Sequence, residues 1–395
     1  MNLENTEYKP ETLAIQAASE LNETSALTPP IFQTSTFELP SGVAGAEMSV
    51  GQAPGEFYTR WGNPTIKQCE HTIAALEGAE AALAFASGMG ALSALFFTAV
   101  QAGDHVVIGR SIYSGIHELT TGLLNRFGVE SSFADATDIL SVAKALRPNT
   151  RLVLVESPTN PTLELCDLAG LAQLGKDRNI LTAVDGTFAT PANQQPLALG
   201  IDVVAHSATK GLGGHSDITA GVLCGRRAWI DEAWSHLKLV GAALGPFEAW
   251  LLLRGLKTLF PRVRQQNTTA MELARFLEKR PEIVRVRYPG LESHPQHDLA
   301  RQQMQGFGTI LSIELRDGYE AALRFAEGVR LIRLAVSLGG TESLVQHPAS
   351  MTHGMLSPDA IAKAGIAPGL LRLSVGLEHV DDLKREIVEA LALQS

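Results

Sequence analysis

The chain has 395 residues, 45% of them hydrophobic, and its 32 basic and 42 acidic side chains give a formal charge of -10. That size and apolar content suffice for one large core plus a smaller satellite, while the acidic balance argues against a nucleic-acid or anionic-membrane surface, which needs clustered Lys and Arg. The cysteines Cys69, Cys166 and Cys224 are widely spaced without a C-x-x-C pair, so neither a disulfide framework nor a thiolate metal site is expected, and a reducing cytoplasm is the natural compartment. Residues Met1 to Pro10 include Glu4, Glu7 and Lys9 and no apolar run, which is not the pattern of a signal peptide. Residues 1–60 are rich in Thr, Pro, Gly and Ser with little periodicity and predict an extended arm that packs on something else, such as a partner subunit. From Ala81 to Val100 no charge occurs, a run long enough by count to cross a bilayer. Ser87-Gly88-Met89-Gly90 interrupts it, and the run predicts a short strand, a glycine turn and a buried helix starting near Ala91 instead.

Helical patterns then alternate with short β-branched runs at Asp104–Gly109, Arg151–Glu156, Ile180–Asp185 and Asp202–His206, with a further strand at Ala220–Cys224. This alternation predicts an α/β fold with a mainly parallel sheet covered by helices. A long amphipathic helix is expected around Trp250 to Arg280, and a second, smaller α/β domain resumes near Phe307. The expected division is an arm over 1–60, a large cofactor-binding domain over 61–255 and a small C-terminal domain over 256–395.

In open α/β sheets the ligand sits beyond the carboxyl ends of the strands. Those ends carry Glu156-Ser-Pro-Thr-Asn160, Asp185-Gly-Thr187 and Ser207-Ala-Thr-Lys210. Lys210 precedes Gly211-Leu-Gly-Gly-His215, a glycine-shaped turn with room for a ligand. Desolvation there would make its amine a nucleophile able to form an imine, although a lysine in a loop is more often simply solvated. Asp185 suits the carboxylate that keeps the ring nitrogen of a pyridoxal cofactor protonated; on spacing alone it reads equally well as the cap of a following turn. The turn Ser87-Gly88-Met89-Gly90 opens a helix and so presents N–H groups to a phosphate, with the hydroxyls of Ser207 and Thr209 as further candidates. Gly211-Leu-Gly213-Gly214 lacks the full dinucleotide spacing.

The ordered motifs Tyr58-Thr-Arg-Trp-Gly-Asn-Pro-Thr65, Ala86-Ser-Gly-Met89, Ile112-Tyr113, Glu156-Ser-Pro-Thr-Asn-Pro161, Val184-Asp-Gly-Thr-Phe-Ala-Thr-Pro191, His206-Ser-Ala-Thr-Lys-Gly-Leu-Gly-Gly-His-Ser-Asp217, Arg254-Gly-Leu-Lys-Thr258, Ser337-Leu-Gly-Gly-Thr-Glu-Ser343, His347-Pro-Ala-Ser-Met-Thr-His353 and Leu371-Arg-Leu-Ser-Val-Gly-Leu-Glu378 span nearly the whole chain. Together they resemble the Cys/Met-metabolism (trans-sulfuration) group of pyridoxal 5′-phosphate enzymes, with pocket features nearest the methionine γ-lyases and cystathionine γ-synthases. The resemblance implies an aspartate-aminotransferase-like (type I) fold. It implies that Lys210 holds the cofactor and moves protons, that Asp185 pairs with the ring nitrogen, and that Asn160 lies near the ring oxygen. By the same resemblance Tyr113 stacks on the ring and exchanges a proton with substrate or leaving group, and Ser87, Gly88, Met89, Ser207 and Thr209 bind the phosphate. Tyr58 and Arg60 would reach it from a neighbouring subunit, which implies a homotetramer built from dimers that share active sites. Arg372 would clamp the substrate carboxylate with Ser337 alongside.

Several positions depart from the family pattern. Gly186 stands where many relatives have Asn and Gly211 where an aromatic is usual, both expected to loosen the pocket wall. Gly115 replaces the cysteine common in methionine γ-lyases. Val336 replaces a glutamate frequent in cystathionine enzymes and makes the pocket greasier. The expected reaction is therefore elimination or replacement at Cγ of a sulfur amino acid or an O-acylhomoserine, with the sulfhydrylases, cystathionine γ-synthases and cystathionine β-lyases as alternatives. A protein that binds the cofactor without catalysis is a further alternative. His347 and His353 lack an accompanying carboxylate at ligand spacing, so no metal is expected. His206 and His215 are read as loop supports, Trp61 and Trp250 as packing, and Arg254 to Lys257 as a helix end or subunit contact.

Overall fold

The computed structural model describes residues 8–352, 354, 361 and 365–392. Seven strands form the larger sheet: β1 (Ala81–Phe85), β2 (His105–Gly109), β3 (Glu130–Ala134), β4 (Thr150–Glu156), β5 (Leu181–Asp185), β6 (Val203–Ser207) and β7 (Gly221–Gly225). Their order is β1-β7-β6-β5-β4-β2-β3. Only β7 runs against its neighbours; the other pairings are parallel. All residues of β2 and β7 are buried, as two-sided coverage by helices requires.

Local chemistry sets the helices that do the covering. In Pro64–Glu77 the Asn63 side chain accepts from Thr65 N, Pro64 occupies the first turn, and Gly78 closes the end in the left-handed region at φ 66°. The uncharged run splits into β1 and a buried helix as expected, but the helix (Gly88–Ala99) starts at Gly88 rather than near Ala91, so Gly88-Met-Gly90 form its first turn and Ser87 caps it by accepting from Gly90 N. Among the described residues no helix is long and apolar enough to cross a membrane.

The smaller sheet has the order β10-β11-β12-β9-β8, with β8 (Ile283–Arg287), β9 (Ile310–Leu315), β10 (Arg333–Leu334), β11 (Leu344–Gln346) and β12 (Leu370–Ser374). It is mainly antiparallel, with β10–β11 the one parallel pairing. Its own core gathers Leu311, Ile313, Phe325, Leu371 and Ile387.

Two expectations are corrected. The single helix expected over 250–280 is two, Pro246–Leu256 and Leu259–Leu277, broken at Lys257 and Thr258. The second joins the two cores: Leu259, Phe260 and Val263 pack with the large sheet, while Ala270, Leu273, Ala274 and Leu277 pack with the small one. The N-terminal stretch is not extended throughout, since it contains the helices Pro10–Gln16 and Gly42–Val50, and Ala14 is buried in the same cluster as Ile66, Cys69 and Ile73.

Candidate active site

Strands β4, β5 and β6 are parallel and end together at Glu156, Asp185 and Ser207. Glu156 pairs directly with Asp185 across the ladder. Because β7 is antiparallel, its first residue Gly221 lies opposite both Ser207 and Phe85, which brings the start of helix Gly88–Ala99 to the same edge. The backbones meet closely there. A Cβ at Gly88 would stand 2.9 Å from Ser207 Cβ, and one at Gly221 would stand 2.1 Å from Ser87 O. The first N–H groups of a helix lack intrahelical partners, so this edge offers N–H donors beside the Ser207 hydroxyl, as an anion requires.

Lys210 follows β6 by one turn, with its N–H on Ser207 O at 3.1 Å. Its Nζ donates to Ser337 Oγ at 2.8 Å. Burial, reinforced by the Arg372 charge, pulls the amine down to about 8. Its neutral, nucleophilic fraction therefore grows as pH rises towards that value and levels off above it. The rate at which the cofactor-free protein captures an aldehyde should accordingly rise about tenfold per pH unit up to that point, followed by stopped-flow absorbance. A flat profile between pH 6 and 8 would exclude Lys210 as the amine.

Ser337 has φ 84°, a left-handed conformation disfavoured for a side chain. Its carbonyl accepts from Arg372 Nη2 at 2.6 Å while its hydroxyl takes Lys210. Arg372 lies on β12, so the small sheet supplies its cation to the edge of the large one. Its Nη1 donates to Asn160 Oδ1 at 2.9 Å and Nη2 to Gln346 Oε1 at 2.7 Å. Its buried Nε has no partner among the described residues. Asp185 is buried, with Oδ1 accepting from Thr187 N at 3.0 Å and from Thr187 Oγ1 at 2.5 Å. Burial raises its carboxyl above the usual range, opposed by the Thr187 bonds and by His206. Glu156 is also buried and is pushed well above that range by desolvation and then by Asp185. It accepts from Tyr113 N at 2.9 Å, which ties the loop after β2 to the end of β4.

The glycine loop after Lys210 is held from below by Arg262. This buried guanidinium donates to Gly211 O at 3.1 Å, Leu212 O at 3.4 Å and Gly255 O at 2.9 Å. A Cβ at Gly214 (φ 70°) would fall 1.8 Å from Arg262 Nη1, so only glycine fits. Arg262→Ala strands these carbonyls and should lower the unfolding free energy by about 3 kcal/mol or more, read from the urea midpoint. A loss below about 1 kcal/mol would show that water replaces the guanidinium.

The expected departures do not loosen the wall. A Cβ at Gly211 would meet Thr190 Cγ2 at 2.8 Å, and one at Gly186 would meet His206 Cε1 at 2.8 Å, so both places are filled by neighbours. Gly115 is tight as well, because a Cβ there would come within 2.7 Å of Tyr113 Cε1 and 3.0 Å of Met89 Sδ. Tyr113 and Met89 are thus adjacent, with the Tyr113 side half-exposed at 43%. Thr209 Oγ1 donates to Ala220 O at 3.1 Å and accepts from Ala220 N at 2.9 Å. Tyr58 and Arg60 are not gathered by this chain around Lys210: Arg60 donates to Lys238 O and lies 5.4 Å over the Tyr58 ring. Val336, beside Ser337, is 58% exposed. His215 Nδ1 bonds Gly213 O at 2.8 Å within the loop. Both nitrogens of His347 are engaged, by Ser350 Oγ and Pro368 O, each at 2.8 Å; His353 lies outside the described residues. Trp61 and Trp250 pack and donate or stack within the fold, Trp250 Nε1 reaching Pro29 O at 3.2 Å. The residues that sequence reasoning left without roles are Glu156, Gln346 and Arg262.

Residues 11–392 match the family model described as Cys/Met metabolism PLP-dependent enzyme. The chain is 42% identical to an O-succinylhomoserine sulfhydrylase of Pseudomonas aeruginosa, over 97% of this chain and 95% of the relative. It is 44% identical to an L-methionine gamma-lyase of Pseudomonas putida, over 93% and 92%, and 43% identical to the cystathionine beta-lyase MetC of Bacillus subtilis, over 93% and 92%. The crystal structure of metB from Corynebacterium glutamicum superposes with a TM-score of 0.92 at 38% identity, over 98% of this chain and 99% of that one. The family match over residues 11–392, with the close superposition on a solved relative, shows that the fold is of the type I pyridoxal-phosphate class and that the chain belongs to the Cys/Met-metabolism family of pyridoxal-phosphate-dependent enzymes.

Proposed function

We propose that the protein catalyses elimination or replacement at Cγ of a sulfur amino acid or an O-acylhomoserine, as a carbon–sulfur lyase nearest in character to the methionine γ-lyases. The observation that carries this reading is the Lys210–Ser337–Arg372 chain, joined through Asn160 to the loop that follows Glu156, whose strand pairs with that of Asp185. The residues fit pyridoxal phosphate. The close approach of Gly88 to Ser207 leaves a bare-backbone cradle at a helix start, and the depressed Lys210 amine suits imine formation. Gly88, Met89, Ser87, Ser207 and Thr209 would hold the phosphate, Lys210 the aldehyde, Asp185 the ring nitrogen and Asn160 the ring oxygen, with Tyr113 against the ring. When bound, the cofactor supplies an electron sink that acidifies the substrate's Cα–H.

The chain's own groups do the rest. Arg372 orients the substrate carboxylate, its free Nε facing no competing acceptor among the described residues. Lys210 Nζ then takes the Cα proton, and Ser337 Oγ fixes the direction in which that amine points. Tyr113 would give its phenolic proton to the departing thiol or activated oxygen. Val336 leaves the far end of the pocket apolar, which favours a thioether over a second ammonium group.

The exposed Tyr58, Tyr113 and Val336 support an assembly in which a second copy covers this mouth, with Tyr58 and Arg60 contributed across the interface, in a homotetramer of active-site-sharing dimers. The buried, unpaired Cys69, Cys166 and Cys224 support a cytoplasmic location. Incubation of the purified protein with methionine, homocysteine, cystathionine, cysteine and O-acylhomoserine, with and without added thiol, tests the reaction. The expected product is 2-oxobutanoate from a γ-substituted substrate. Pyruvate alone would assign β-elimination, a new thioether would assign γ-replacement, and amino-group exchange alone would overturn the proposal.

A further inference from the structure

Asp185 and Ser207 share one face of the large sheet, and His206 projects from the other by the alternation of a strand. On that second face it meets Glu77, the last residue of helix Pro64–Glu77, with Nε2 2.5 Å from Glu77 Oε1. Both side chains are essentially fully buried, at 1% and 0% exposure. Neither His206 Nδ1 nor Glu77 Oε2 has a partner among the described residues. The imidazole lies against the peptide that follows Asp185, since a Cβ on Gly186 would come to 2.8 Å from His206 Cε1 and 3.5 Å from Nδ1.

Such a pair is a poor device for packing. Two ionisable groups are taken out of water and two polar atoms are left unsatisfied, each at a cost that an apolar pair of equal volume avoids. A carboxylate at the last residue of a helix also opposes the helix dipole. The charge arrangement supplies the compensation. Asp185 is raised by burial, and its register partner Glu156 is a second buried carboxyl. His206 is the group on the opposite face that favours the ionised form of Asp185. The other titratable groups nearby are Glu70 on Glu77's own helix, half-buried and accepting from Ala84 N at 2.9 Å, and the Cys224 thiol on β7.

We propose that Glu77 and His206 form a buried carboxylate–imidazolium pair whose positive end holds Asp185 ionised, making both of them positioning residues for the ring nitrogen of the cofactor. This rests on the assignment of Asp185 and Lys210 to that cofactor. Neither residue touches substrate; they act through Asp185.

Two nitrogen NMR measurements at neutral pH test it. In the cofactor-free wild type labelled at histidine, the His206 signal, identified by its loss in His206→Gln, should show both ring nitrogens protonated, and Glu77→Gln should return it to one. In the holoenzyme carrying cofactor labelled at the ring nitrogen, that nitrogen should be protonated in wild type and shift towards the unprotonated value in both variants. Cofactor affinity should fall about tenfold, the equivalent of one unit of lost charge preference. Once His206→Gln has assigned the signal, a neutral His206 in wild type overturns the proposal whether or not Glu77→Gln folds. So does a labelled ring nitrogen that stays put in both variants while only their melting temperatures fall, which would make the pair a brace. If the wild type binds no cofactor at all, the active-site assignment itself fails, whereas the histidine spectrum still reports whether the pair is charged.

Discussion

Lys210→Ala should give a protein that folds, lacks the imine absorbance of the wild type on adding pyridoxal phosphate, and turns over every sulfur substrate at least ~1,000-fold more slowly. The fold should survive because the ammonium makes one side-chain hydrogen bond, to Ser337 Oγ at 2.8 Å, and such a bond contributes about 1 kcal/mol net. The chemistry should not survive, because in the proposed reaction the same amine both anchors the cofactor and takes the Cα proton. Two functions are lost in one truncation. Lys210→Arg separates them from charge: it keeps the cation near Arg372 but cannot form the imine, so it should be nearly as inactive. Retention of full turnover by either variant would remove the covalent step on which the proposed reaction depends.

The strands that position the site were legible because each is a short, largely buried and mostly apolar run, and buried parallel strands have no polar face to disguise them. Strand β3 was not. Glu130–Ala134 sits at the sheet edge with its first four residues wholly or partly exposed, so its Glu-Ser-Ser sequence carries neither an apolar run nor alternation. The break at Lys257 and Thr258 was hidden for the opposite reason, since both flanking segments keep the helical period, although Gly255 precedes the junction and Pro261 falls in the first turn of the second helix. Gly255, just before it, is dictated by tertiary contact: a Cβ would fall 2.3 Å from Gly213 O in the loop after Lys210.

The same division runs through the site. Lys210 and Asp185 became candidates by position, Asp185 ending a strand and Lys210 following one at the edge where α/β folds bind ligands, but position alone left Asp185 equally readable as a turn cap and only the family motifs decided. Arg372, in contrast, is one arginine in a five-residue strand of the second sheet, and only the family motif Leu371-Arg-Leu-Ser-Val marked it. Glu156 looked like the end of a strand and Arg262 like a turn of amphipathic helix. Their importance comes from contacts across long sequence separations, Glu156 with Tyr113 and Arg262 with Gly211, which no local spacing encodes. Glycine departures misled for a related reason. An absent side chain reads as a gap in a sequence, but here the space at Gly186 and Gly211 is already taken by His206 and Thr190.

Arg372→Met should raise KM and lower kcat/KM by about 100- to 1,000-fold for every amino-acid substrate. The methionine keeps much of the volume, so the effect reports the lost charge and forked donors rather than a cavity. The guanidinium is fixed by Asn160 Oδ1, Ser337 O and Gln346 Oε1, which occupy both N–H groups of Nη2 and one of Nη1, and Nε is buried without a partner among the described residues. A buried donor in that condition costs free energy until an acceptor arrives, and a substrate carboxylate is the acceptor the proposed reaction provides. The variant has a second, independent signature. Because the Arg372 charge helps depress the Lys210 amine, its removal should move the pH at which aldehyde capture levels off upward from about 8, slowing capture at neutral pH. An analogue without the carboxylate should then lose nothing in KM between wild type and variant. If amino acid and decarboxylated analogue suffer equally, Arg372 acts by shaping the Ser337 turn alone and the substrate carboxylate is bound elsewhere.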